Sequence, residues 1–110
     1  MEATTRARTC TVSVVQVAIT DDLDAATVPA LTATFRDILA LRPRRVVVDL
    51  AACETIDAAA IEMLLDVHRA LWRHDARLSL RSASPRLRRL LTLARAAQVL
   101  DISSDDDRTR

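Results

Sequence analysis

The chain has 110 residues, half of them apolar, with 16 basic and 15 acidic side chains and a formal net charge of +1. That length buries one core rather than two, and the charge balance gives no general reason to expect nucleic acid or an anionic membrane as partner. Cys10 and Cys53 are too few for a disulfide framework, and no stretch approaches the length of a membrane span.

Every basic residue is Arg, glycine is absent, and Phe35 and Trp72 are the only large aromatic residues. The core must therefore be aliphatic. Positions that usually take glycine must use Asp or altered turns. Residues 1–10 are polar and are expected to be loose or to form a short edge strand. They hold no apolar run for a signal sequence, so a cytoplasmic location is expected.

Thr11 to Ile19 is rich in Val and reads as a strand. Thr20-Asp21-Asp22-Leu23-Asp24 follows as a turn rich in helix-capping carboxylates. Val28 to Leu41 has the period of a helix, with Val28, Leu31, Phe35, Ile38 and Leu39 on one face. Pro29 suits its first turn and Pro43 ends it. Arg42, Arg44 and Arg45 lie at and beyond its C-terminus, where cations complement the helix dipole.

Val46 to Leu50 is an apolar, β-branched run that suits a central strand covered on both faces. After a short loop, Asp57 is placed to cap a helix over Ala58 to Arg73. Ile56 and Ile61 then stand at the two positions of a hydrophobic staple. Ile61, Leu64, Leu65, His68, Leu71 and Trp72 form the expected apolar face, with His68 as a satisfied core histidine. Glu62, Asp66, Arg69 and Arg73 form the solvated face.

His74-Asp75-Ala76 is a turn, and Arg77 to Arg81 alternates as a strand with one buried face. Ser84 and Pro85 are the cap and first residue of a third helix. Leu87, Leu90, Leu91 and Ala94 are its apolar face, with Arg86, Arg88, Arg89 and Arg95 on a basic one. Val99 to Ile102 is a last short segment. The acidic tail, 103–110, is expected to be disordered. This order predicts an α/β (mixed α+β) domain over 11–102. Its central sheet would be mixed but mostly parallel, with helices mainly on one face.

Catalytic signals are weak. Asp49 and Asp57 bracket one loop, which could suggest acid–base work or a metal. Asp57 is explained as a cap and Asp49 as a strand-end residue bonding to loop amides. The cysteines lack CxxC spacing and a His partner, and no glycine-rich loop exists to cradle a nucleotide. No enzyme, cofactor or metal is expected. The arginines of the third helix lack aromatic neighbours to stack bases, so nucleic acid is not expected either.

Val46-Val47-Val48-Asp49-Leu50 followed by Ile56-Asp57 resembles the signature of the STAS domain, the fold of bacterial anti-sigma-factor antagonists. The run from Arg81 to Leu91 resembles the family as well, and the likeness covers about residues 11–102. It implies a protein-interaction module whose partner is a kinase-type anti-sigma factor. In the family a serine directly after the capping Asp is the phosphorylated switch; here Ala58 stands in its place, a lost phosphosite. Ala59 replaces the following Ser or Thr, and Ala60 the glycine. Thr55 is the nearest hydroxyl, read as capping the loop, with a substitute phosphoacceptor as the alternative. The resemblance places the partner surface at Asp22, Asp24, Thr55, Asp57, Ala58, Ala59, Ala60 and Glu62. The alternative role is a STAS subunit of a larger assembly, such as an ABC-type lipid transporter or a stressosome-like complex. A homo-oligomer is a third arrangement.

Overall fold

The structure, a computed structural model, describes residues 13–96 and 99–103. The expected N-terminal edge strand, Cys10 and the acidic residues 104–110 lie outside the described residues. Four strands and three helices alternate: β1 (Val14–Ala18), α1 (Val28–Ala40), β2 (Arg45–Asp49), α2 (Ala58–Trp72), β3 (Arg77–Arg81), α3 (Pro85–Leu93) and β4 (Asp101–Ser103).

The strands lie in the order β1-β2-β3-β4, and all three pairings are parallel. Each crossover therefore steps the same way along the sheet. Right-handed crossovers of that kind put every helix on one face. The core agrees: Val46, Val48, Leu78 and Leu80 share one cluster with Phe35 and Ile38 of α1, Leu64 and Leu71 of α2, and Leu87 and Leu91 of α3. Val47 points to the opposite face and lies outside that cluster.

α1 has the expected face, with Phe35 and Ile38 buried and Val28, Leu31 and Leu39 packed against the core. The face of α2 differs from the sequence reading. Ala60, Met63 and Val67 are buried beside Ile61, Leu64 and Leu71, while Trp72 is 63% exposed. The helix lies over the sheet and against α1, so its buried arc is wide and turned away from Trp72. His68 is only half-buried, and its Nδ1 has no hydrogen-bond partner, so it is not a satisfied core histidine. Its ring instead lies 5.9 Å from that of Trp72.

β3 differs too. The alternation of β3 predicts Ser79 on its solvated face, yet it is buried, and Arg45 Nε donates to Ser79 Oγ at 3.2 Å. In α3, Ser84 Oγ accepts from the Leu87 amide at 3.1 Å as the cap, and Pro85 opens the helix. Ala94 is exposed at the C-cap and does not extend the apolar face.

Candidate functional site

All parallel strands point their C-terminal ends the same way, so the loops after β1 and β2 meet at one end of the sheet. Backbone pairing joins them. The Leu23 amide donates to the Thr55 carbonyl at 3.0 Å, and the Asp57 amide donates to the Leu23 carbonyl at 2.9 Å. Leu23 and Ile56 form a one-residue parallel bridge, and both side chains are buried. An apolar peg in each loop thus fixes the polar residues on either side of it.

Asp57 holds this arrangement from two directions. Oδ1 accepts from the Ala60 amide at 3.0 Å, which caps α2 as its position predicts. Oδ2 accepts from the Ala25 amide at 2.9 Å, which ties the first loop to the start of α2. The second bond has no local sequence signal. The staple forms as expected, with Ile56 and Ile61 both buried.

Asp24 turns inward. Its Oδ1 accepts from the amides of Ala26 and Thr27 at 2.9 and 3.0 Å, shaping its own loop. Thr27 Oγ1 accepts from the Asp24 amide at 3.1 Å and also reaches the Asp22 and Asp24 carbonyls. Asp22 remains exposed, with Oδ1 3.4 Å from the Glu54 amide. Asp49 closes the base of the second loop by accepting from the Ala51 amide at 2.9 Å, and it faces Arg81 at 3.8 Å.

The expected partner residues divide into three groups. Asp22, Ala58 and Glu62 are exposed, and Thr55, Asp57 and Ala59 are half-buried at the same end. Ala60 is fully buried. The first turn of α2 winds it inward, and its methyl belongs to the core. Asp24 shapes the surface through its own loop amides. The Thr55 hydroxyl caps nothing among the described residues; the Asp49 and Asp57 carboxylates take that work.

Two concavities lie near the start of α2, one reaching Thr55 and the other Ala59. One, of about 420 Å³, is lined by Asp22, Ala51, Cys53, Glu54, Thr55, Ser84 and Arg86. Ser84 and Arg86 bring the start of α3 into the site, which sequence reasoning missed. The other, of about 440 Å³, runs between α1 and α2 over Phe35, Leu39, Met63 and Val67, with Arg36, Glu62 and Asp66 on its rim. Cys53 is buried in the loop, and its thiol donates to the Thr55 carbonyl at 3.3 Å. Burial pushes this thiol above its usual value, against the opposing pull of its backbone hydrogen bonds. That keeps it protonated and unreactive. No group of three metal-ligating side chains occurs among the described residues. No helix among them is long and apolar enough to cross a membrane.

A family model described as "Mlab, STAS domain" matches residues 6–101. A STAS-domain containing protein of Pseudomonas aeruginosa is 36% identical over 72 residues, 63% of this chain and 71% of the relative. Among solved structures, an anti-sigma factor antagonist from Mycobacterium paratuberculosis superposes with a TM-score of 0.76 at 23% identity, over 86% of this chain and 81% of that one. An anti-sigma-factor antagonist (STAS) domain protein from Planctomyces limnophilus gives 0.66 at 24% identity, over 80% and 76%. At these identities the structural likeness is one of fold.

Proposed function

The chain belongs to the STAS domain family, and from that premise we propose that it is a non-enzymatic protein-interaction module that works without a serine phosphoswitch. Its role is that of an anti-sigma-factor antagonist or a related partner-switching regulator in the cytoplasm. The observation that carries this reading is Ala58. It is exposed at the first position of α2, directly after a cap clamped from both loops by Asp57. The scaffold that would present a switch serine is intact, and the hydroxyl is absent.

A phosphate adds nearly two negative charges at a contact surface, which is costly to desolvate against a complementary partner. With Ala58 that state cannot form. The surface then stays in the form without a phosphate at this position, the binding-competent one, built from Asp22, the Thr55 to Ala59 loop and Glu62. The partner expected is a kinase-type anti-sigma factor. Affinity capture from extract of the source cell, beside an Ala58→Asp variant, tests this. A kinase-type anti-sigma factor held by the native chain and lost by the variant is the expected result. Binding indifferent to residue 58, or no such partner, sinks the antagonist role.

A second reading is favoured by the same alanine, because a subunit of a standing assembly needs no switch. The matching family model, described as "Mlab, STAS domain", names no sigma factor. A STAS subunit of a larger complex, such as an ABC-type lipid transporter, would come down with a transporter ATPase in the same capture.

A further inference from the structure

The far end of the sheet, where the strands begin, carries a surface of a different kind. Five large apolar side chains are exposed among the described residues: Val14, Leu41, Trp72, Leu93 and Val99. All five are at this end. Val14 opens β1, Leu41, Trp72 and Leu93 stand at the C-terminal ends of the three helices, and Val99 precedes β4. None of the loops that form the partner surface exposes such a residue.

The same end is basic. Arg42, Arg44, Arg45, Arg73, Arg77 and Arg95 are all exposed there. Among the described residues they outnumber the acidic residues near them, Asp75 in the turn after α2, Asp37 in the last turn of α1 and Asp101 at the start of β4. None of the six forms an ion pair with a described residue. The surface is continuous: the Arg44 and Arg45 amides donate to the Ser13 carbonyl, and the Arg77 amide donates to that of Arg44. Arg42, Arg44, His74 and Asp75 line one shallow cavity, and Trp72, Arg73 and Val99 line the next. A net charge near zero conceals this pole, because six carboxylates, Asp21, Asp22, Asp24, Asp49, Glu54 and Asp57, gather at the opposite end.

We propose that this basic, apolar end docks on the surface of an anionic phospholipid bilayer without crossing it. Guanidinium groups pair with lipid phosphates, and Trp and aliphatic side chains settle at the headgroup boundary. The interleaving of the two kinds of side chain selects this occupant. An acidic protein face, including the acidic end of a second copy, would match the arginines and leave Trp72 and Leu93 against polar surface. Nucleic acid would do the same, with one aromatic ring at most to stack a base. The proposal concerns the opposite end from Ala58 and does not rest on the antagonist reading.

The test uses the full chain with vesicles of phosphatidylcholine alone, and of phosphatidylcholine mixed equally with phosphatidylglycerol. Flotation should recover the chain with the anionic vesicles at low salt, little of it with the zwitterionic ones, and little with either at high salt. Trp72 is the chain's one tryptophan, so its emission should shift to the blue when anionic vesicles bind. Arg42 and Arg95 adopt positive φ, 53° and 63°. The Arg42→Gly, Arg95→Gly double variant therefore removes two charges without straining the fold, and it should weaken partitioning about tenfold or more. Arg86→Gln, at the other end, should change it less than about twofold. Equal binding to both vesicles, no binding to either, or an unmoved Trp72 spectrum on bound vesicles overturns the proposal. So does an unweakened double variant, an equal loss with Arg86→Gln, or tighter low-salt binding to an RNA oligonucleotide or a second copy.

Discussion

The two ends of this parallel sheet are built by different means. At the C-terminal end, two loops are tied by backbone pairs and by the Asp57 carboxylate, whose oxygens serve two amides 35 residues apart in sequence. Asp24, Asp49 and Asp57 there accept from loop and helix amides, so much of the charge is spent on shape. At the N-terminal end, arginines face solvent without ion-pair partners among the described residues, and three of the four described residues with positive φ, Arg42, Asp75 and Arg95, are found there. One end is pre-organised by hydrogen bonds; the other accepts backbone strain and stays open. A rigid, polar surface suits recognition of one partner, and a loosely arrayed basic surface suits attraction to many phosphates.

The sharpest way to break this contrast is to put charge on the organised end. Ala58→Asp should weaken capture of the partner by about 30-fold or more, in the range of a buried, unpaired interface charge. Its thermal stability should not fall, because an anion in the first turn of a helix is favoured by the dipole. Titration calorimetry beside a melting curve reads both. Arg44→Glu, at the open end, should leave that affinity unchanged; an equal loss would mean the two ends act on one partner.

Next in size is Asp57→Ala. It removes the cap and the tie to Ala25 together, and should lower unfolding free energy by about 2 kcal/mol. Asp57→Asn keeps one acceptor and should lose less. Urea unfolding of the two variants measures this. If both lose the same small amount, the bond across the loops contributes nothing, and the contrast in organisation fails.

Cys53 gives a smaller effect with a definite sign. Burial raises this thiol above its usual value of 9.0. The folded chain therefore holds the proton more tightly than the unfolded one. The resulting stabilisation is fully present below the unfolded value, and it fades as pH rises through the folded value. In a Cys10→Ala background, stability should decline from about pH 9 upward, and a Cys53→Ala change should flatten that decline. Alkylation at pH 8 should be slow until the chain is unfolded.

How much of this was legible in the sequence differs between the ends for a physical reason. The caps Asp57 and Ser84, the staple and the α1 face are local patterns, and each stands in the structure where its spacing puts it. The bond from Asp57 to Ala25 spans 32 residues and leaves no local trace. The face of α2 was misread because period alone cannot tell a helix that packs on a sheet from one that also packs on α1; Met63 and Val67 were the unused signals. The period places Trp72 on the apolar face, yet in the same last turn Leu71 is buried and Trp72 is exposed, because the buried arc of α2 is turned away from it. The basic end was missed because its arginines come from separate turns, Arg42, Arg44 and Arg45 explained by a helix dipole, Arg73 and Arg95 by solvated helix faces and Arg77 by a strand. Only the parallel topology gathers them.

The finest test concerns the backbone of the open end. Arg95 has φ 63° directly after the C-cap of α3, a place that favours glycine. A Cβ makes that conformation unfavourable, and glycine relieves it. Glycine also frees the unfolded chain, and losing a cation at a helix C-terminus gives back a few tenths of a kcal/mol. The balance should leave Arg95→Gly more stable by about 0.5 kcal/mol. Arg44 is the control. It is exposed at the same end and is not among the positive-φ residues. Arg44→Gly removes the same charge and relieves nothing, so it should destabilise by about 0.5–1 kcal/mol. Opposite signs for two lost arginines would separate backbone strain from charge. The same sign for both would mean that the strain at Arg95 is already met elsewhere in the turn, and that the open end is as settled as the organised one.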